Sequence, residues 1–226
     1  MLMNTGRITL IFLLLVTTAF GQQKITVENI YSGTFRTKGM DELQSLKNTN
    51  QYTVLNVDQA SRSMQIDLYD FATLKKVSNL IDTKNHAELA DGIDSYTFDA
   101  SEKKILIACN SNQIFRHSFT ADYFLYDINS KSLTKLFDFQ VQEPTFSPDG
   151  TKIAYAKENN LYVYDIALKK SAAITTDGKK NAIINGITDW VYEEEFAFVR
   201  AFDWSKDSKK IAYIRFDESQ VPQFSM

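Results

Sequence analysis

Three consecutive glutamates, Glu193, Glu194 and Glu195, stand in the run 187-ITDWVYEEEFAF-198, between aromatic and aliphatic residues. Neighbouring carboxylates repel, and burying one without a partner is costly. The run is therefore either a solvated acidic bend or a receptor for a cation. On a turn of helix, successive side chains point about 100° apart, so two of the three can flank one point while the third faces elsewhere. Two carboxylates placed in that way suit an ammonium group, which has three donors and no acceptor. Charge runs are mostly solvated. Here, however, Trp190, Val191, Tyr192, Phe196 and Phe198 surround the acids. A solvated loop needs no such set of large side chains, and the expectation is that they pin the segment against something apolar.

A second constellation lies in 114-IFRHSFTADYFLYD-127, where Arg116 and His117 interrupt an aromatic stretch. Arg116 is either a planar donor for a carbonyl or carboxylate, or the partner of a nearby acid; the residues alone leave both open. His117 reads as a structural hydrogen-bonder, because no partner set for a base is evident. No other reaction machinery is visible. The sequence has no G-x-S-x-G, H-E-x-x-H, C-x-x-C or Walker loop, and its only histidines are His86 and His117. No nucleophile, base and orienter can be assembled, so no catalytic residue is assigned, and no metal or cofactor is expected. The single cysteine, Cys109, ends the apolar run 105-ILIAC-109 and reads as a buried, inert thiol.

The elements that must position these groups come in repeats. The segments 98-FDASEKKILIA-108, 146-FSPDGTKIAYA-156 and 204-WSKDSKKIAYI-214 share one frame: an aromatic, a polar turn with a basic residue, and an apolar strand resuming seven residues on. Asp149-Gly150 is a strong hairpin signal. A second repeat runs out of phase, with Tyr69-Asp70, Tyr126-Asp127 and Tyr164-Asp165 each closing a strand before a Lys-containing turn. One unit is thus four antiparallel strands. Tandem four-stranded units spaced by 48 and 58 residues predict an all-β fold, a partial β-propeller. A β-sandwich fits the shared frame less well. The blades fall near 52–90, 95–140 and 143–175, with a last one from about Ala201. The glutamates lie on an insertion near 185–198, and insertions in repeat proteins gather on one face. Residues 22–51 read as a lead-in segment, in which 40-MDELQSL-46 suggests a helical turn or two. No closing strand pattern follows, so 52–226 reads as the N-terminal half of a larger propeller.

Bulk properties narrow the function classes. The 226 residues are 44% hydrophobic and 23% charged, and a net charge of -3 gives no electrostatic reason to expect nucleic acid. Residues 1–21 read as a signal peptide, with Arg7 before a short apolar core and Ala19-Phe20-Gly21 at the cleavage site. Export to the periplasm or outside the cell is expected, with a retained membrane anchor as the alternative.

The string 185-NGITDWVYEEEF-196 resembles the N-terminus-recognition motif of the dipeptidyl peptidase IV-like serine exopeptidases, a prolyl-oligopeptidase-like family. The segment 115-FRHSFTADYFLYD-127 is similar to that family's arginine segment, and the 146–156 and 204–222 runs to its blade strands. The resemblance implies an eight-bladed propeller joined to an α/β-hydrolase domain, and removal of N-terminal dipeptides with Pro or Ala second. It implies that Glu194 and Glu195 hold the substrate's α-ammonium. Arg116 would bind the carbonyl of the substrate's second residue and brace the glutamates, Glu193 would be a support facing elsewhere, and Asp189 and Trp190 would fix the segment. The family's catalytic serine, aspartate and histidine lie in a hydrolase domain that residues 1–226 do not contain, so this stretch is expected to be inactive alone. The implied partners are peptides with a free N-terminus, that hydrolase domain, and a second copy in a homodimer. The competing reading is a non-enzymatic exported propeller serving as a protein-binding scaffold.

Overall fold

The computed structural model describes residues 24–37, 39 and 43–223, so the expected signal peptide lies outside it. Among the described residues no helix is long and apolar enough to cross a membrane. The chain divides into two units, 1–41 and 42–226. In the first, one short helix, Val27–Tyr31, is capped by Thr26, whose hydroxyl accepts the Asn29 amide at 3.2 Å.

The second unit is built of antiparallel sheets. The first contains β1 (Leu43–Ser45), β2 (Gln51–Asp58), β3 (Ser63–Asp70) and β4 (Lys76–Asp82) in that order. The second contains β5 (Ser95–Phe98), β6 (Lys104–Gln113), β7 (Phe119–Asp127) and β8 (Ser132–Lys135). The third contains β9 (Gln142–Phe146), β10 (Lys152–Lys157), β11 (Asn160–Asp165) and β12 (Lys170–Ala173). A fourth begins with the pair β14 (Phe202–Trp204) and β15 (Ile211–Tyr213), while β13 (Ile183–Asn185) pairs with β16 (Arg215–Asp217). This is the expected blade order, with one correction. Leu43–Ser45 is a strand, not the helical turn expected around 40–46, and it places the edge strand of the first sheet inside the stretch read as lead-in.

The apolar runs have a physical reason. Side chains on a strand alternate between faces, and each middle strand is covered on both. From β6, Ile105, Ile107 and Cys109 pack with Ile66 and Ile81 of the first sheet, whereas Leu106 and Ala108 pack with Ile153 and Tyr155 of the third. Strand β10 repeats the pattern, its Ala154 meeting Phe202 of the fourth. Burial pushes the Cys109 thiol up to about 12, with Asp94, Asp122 and Asp91 adding to the effect.

Both repeated motifs prove to be turn chemistry. The aspartates of the Tyr-Asp repeats accept backbone amides three residues on: Asp70 from Thr73 at 2.8 Å, Asp127 from Ser130 at 2.8 Å and Asp165 from Leu168 at 2.9 Å. Five residues after each tyrosine the backbone is left-handed, at Leu74, Lys131 and Lys169. In the other frame the left-handed position is four residues after the aromatic, at Glu102, Gly150 and Ser208.

These last turns join successive sheets. The Glu102 carboxylate accepts the Lys47 and Asn48 amides, Lys104 Nζ donates to the Gly150 carbonyl at 3.0 Å, and Ser208 Oγ accepts the Asp149 amide at 3.0 Å. Because strands alternate in direction, the β5–β6 turn, like the β9–β10 turn, lies on one rim. The β6–β7 turn, carrying Arg116, lies on the other, as does the segment leaving β12 toward the glutamates.

A Cβ added at Gly150 would stand 2.9 Å from Asp99 Oδ2, and the residue's φ is +67°. Gly150→Ala is expected to cost about 1–3 kcal/mol, read as a lower urea midpoint at unchanged slope.

Candidate functional site

The insertion between the third and fourth sheets is a hairpin capped by a helix. Its arms pair through Ile187 and Arg200, and the Thr188 amide donates to the Val199 carbonyl at 3.1 Å. At its root, the Asn185 amide donates to the Asn159 carbonyl at 3.0 Å, and the Asn185 side chain donates to Asp177 at 2.9 Å. Arg215 Nε meets the other oxygen of Asp177 at 2.9 Å. Ile184 and Ile187 bury themselves against Ala156 of β10. The hairpin is thus tied to the third blade before the helix begins.

The helix runs Trp190–Phe196, seven residues. A helix this short is not stable on its own and needs caps and tertiary ties. Asp189 is the N-cap, its Oδ1 accepting the Tyr192 amide at 2.8 Å. Ala197 closes the other end in the left-handed region, φ 55°, and donates its amide to the Glu193 carbonyl. The Tyr192 ring packs on Phe216 at 4.8 Å and on Phe198 at 6.2 Å. The other aromatics do not do the pinning expected of them: Trp190 is 55% exposed and Phe196 64%. The reason is local. A two-turn helix has one inward face, and an acid takes it.

That acid is Glu193, fully buried. Its Oε1 accepts the His117 amide at 2.5 Å and the Ser118 amide at 3.0 Å. Burial raises its pKa, but the neighbouring Ser118 side chain and the two amides more than offset this and hold the carboxyl below the usual range. Glu194 is half-buried, and its Oε1 lies 3.2 Å from Arg116 Nε. Glu195 is exposed and, among the described residues, has no ion pair within 4.0 Å. The structure therefore brings Arg116 to the glutamates, and His117 takes part through its backbone. His86 stands apart, its ring edge-on to Tyr126 at 5.8 Å. Among the described residues no group of three His, Cys, Asp or Glu side chains is placed to hold a metal ion.

Two features were not evident in the sequence. Glu143, on β9, sits at φ +54°. Burial raises its carboxyl pKa, against the pull of Arg200 and with a further push from Glu193. Arg200 donates to Thr145 Oγ1 at 3.1 Å. Both line a 460 Å³ channel along the inner strands. A second cavity, of 830 Å³, lies against the helix and is lined by Phe115, Ile187, Trp190, Val191, Lys179 and Glu218. Neither cavity is lined by the Glu194 and Glu195 side chains.

Residues 99–226 match the family model for the N-terminal region of dipeptidyl peptidase IV. The chain is 37% identical over 148 residues to dipeptidyl peptidase 4 of Felis catus, covering 64% of this chain and 19% of that protein. It is 30% identical over 213 residues to dipeptidyl aminopeptidase B of Saccharomyces cerevisiae, covering 90% of this chain and 25% of that one. Among solved structures, the dipeptidyl peptidase 4 of Porphyromonas gingivalis superposes with a TM-score of 0.78 at 32% identity, over 89% of this chain and 29% of that chain. The chain thus spans a quarter or less of the length of these curated relatives.

Two substitutions test the helix ends. Asp189→Ala is expected to cost about 1 kcal/mol, and Ala197→Gly to gain about 0.5–1 kcal/mol by relieving a left-handed alanine. Hydrogen exchange of residues 190–197 would read both, faster in the first variant and slower in the second.

Proposed function

The chain belongs to the family of dipeptidyl peptidase IV N-terminal regions, and from that premise we propose that it is the substrate-recognition part of a serine-type dipeptidyl peptidase acting on N-terminal dipeptides with Pro or Ala second. The observation that carries this reading is the division of labour among three adjacent acids. One is buried as a fixture, one is shared with a guanidinium, and one is left to solvent.

In this reading Glu194 and Glu195 accept hydrogen bonds from the peptide's α-ammonium. Arg116 commits its Nε to Glu194 and offers its terminal nitrogens to the carbonyl of the second residue. A guanidinium suits both tasks because its donors lie in one plane. The ammonium fixes the register of the peptide, so one peptide bond, the second, falls at a nucleophile a fixed distance away. That nucleophile, with its histidine and aspartate, belongs to an α/β-hydrolase domain beyond residue 226. Residues 1–21 act as an export signal, and the complete protein works outside the cytoplasm as a homodimer. Glu193 and Asp189 support the segment that carries the pair.

The tests use the complete enzyme. Glu194→Gln or Glu195→Gln is expected to lower kcat/KM for H-Xaa-Pro substrates by about a hundredfold or more, with the unfolding midpoint unchanged. Acetylated substrates should be refused. Activity should fall as pH rises through about 8, where an α-amino group loses its charge. Wild-type turnover in both glutamine variants would defeat the ammonium role.

A further inference from the structure

The acid pair and the guanidinium come from distant parts of the chain. Arg116 sits on the β6–β7 turn of the second blade, and the acid pair begins 78 residues later, at Glu194. Their recognition geometry depends on how that turn and that helix are held together. The Arg116–Glu194 pair is a poor holder: the arginine side chain is 71% exposed, and exposed ion pairs are weak and screened by salt. The other tie is of a different kind. Glu193 is fully buried and gives one oxygen to two consecutive main-chain amides, those of His117 and Ser118. One arm bonded to two consecutive amides sets that turn at a fixed distance from the helix.

On the reading that Glu194, Glu195 and Arg116 form the recognition site, we infer that Glu193 is its positioning residue, a strut that sets the acid pair and the guanidinium relative to each other. Two geometric facts make one side chain sufficient. Successive helical side chains diverge by about 100°, so turning Glu193 inward fixes the directions of Glu194 and Glu195. The amides of His117 and Ser118 follow Arg116 directly, so clamping them fixes the backbone from which the guanidinium leaves. The turn itself is closed and compact, with the Ile114 amide on the Ser118 carbonyl at 2.9 Å and Gln113 Nε2 on the Arg116 carbonyl at 2.9 Å. It therefore moves as one body with the amides that Glu193 grips.

A strut acts by reach, and a charge acts at a distance. Glu193→Asp keeps the charge and shortens the arm by about 1.5 Å, one carbon–carbon bond. Glu193→Gln keeps the reach and an acceptor oxygen and removes the charge. In the complete enzyme, Glu193→Asp should raise KM for H-Xaa-Pro substrates about tenfold with kcat within about threefold, while Glu193→Gln should stay within about threefold of wild type. In an Arg116→Ala background the Asp change should add less than about twofold, because the two residues act through one geometry. Glutamine worse than aspartate, or full additivity with Arg116→Ala, would overturn the strut. Glu194→Gln, assayed alongside, reports on the ammonium reading itself. Should that variant behave as wild type, hydrogen exchange of residues 114–119 decides the strut without any substrate. Faster exchange in Glu193→Asp than in Glu193→Gln supports it, and equal exchange overturns it.

Discussion

A four-stranded sheet whose middle strands are apolar on both faces has to find cover on both sides, and that requirement shapes most of this molecule. Ile105 and Ile107 point one way from β6 and Leu106 and Ala108 the other, and all are buried. Cover comes from the next sheet on each side and from the connecting segments, such as Leu89 and Ile93 on one face and Phe137 and Val141 on the other. Sheets stacked face to face in this way, each twisted with a fixed hand, repeat as blades. The core is therefore a series of seams between sheets, each with its own set of side chains.

Strand parity then determines where function can be placed. With four antiparallel strands per blade, every second turn returns to the same rim. The β6–β7 turn and the segment after β12 share one rim, and the inter-blade turns of the aromatic-start frame occupy the other. Arg116 and the glutamates meet because an even number of strand reversals separates their rims, and Glu193 then holds them together. One rim assembles the blades and leaves the other to carry an arm without disturbing the seams.

Much of this was legible in the residues. The aromatic-start frame and the Tyr-Asp repeat gave the blades, because turn aspartates and two-faced strands leave fixed spacings. Helix geometry requires three successive acids to point in different directions, and Arg116 stands out by its odd place in an aromatic stretch. The misses have physical causes. Leu43–Ser45 is a three-residue strand held by pairing with β2, without a burial pattern strong enough to mark it. The aromatics around the acids suggested an apolar seat, but the seat is polar: two backbone amides, which carry no residue signature. Glu143 and Arg200 were invisible for a related reason, since a single acid and a single base 57 residues apart announce no contact. The β13–β16 pairing joins segments that are separated in the chain by the glutamate hairpin and the β14–β15 pair.

The left-handed residues in the inter-blade turns lead somewhere else. Three equivalent positions hold Glu102, Gly150 and Ser208, and glycine is locally the easiest choice at each. Yet Glu102 and Ser208 use their side chains to grip the adjoining blade, while Gly150 lets Asp99 crowd in and leaves the link to Lys104. Two of the three junctions thus accept local strain to gain a connection with a neighbour. A family-wide drift toward glycine at this position would make every turn more comfortable and every blade more independent. In a stacked-repeat protein, stability divides into terms within repeats and terms between them, and these strained residues belong to the second kind. Their effect is on cooperativity: Glu102 couples the first blade to the second and Ser208 the third to the fourth, while the second and third, which carry Arg116 and the root of the glutamate hairpin, are linked at this rim through Lys104 and the Gly150 carbonyl.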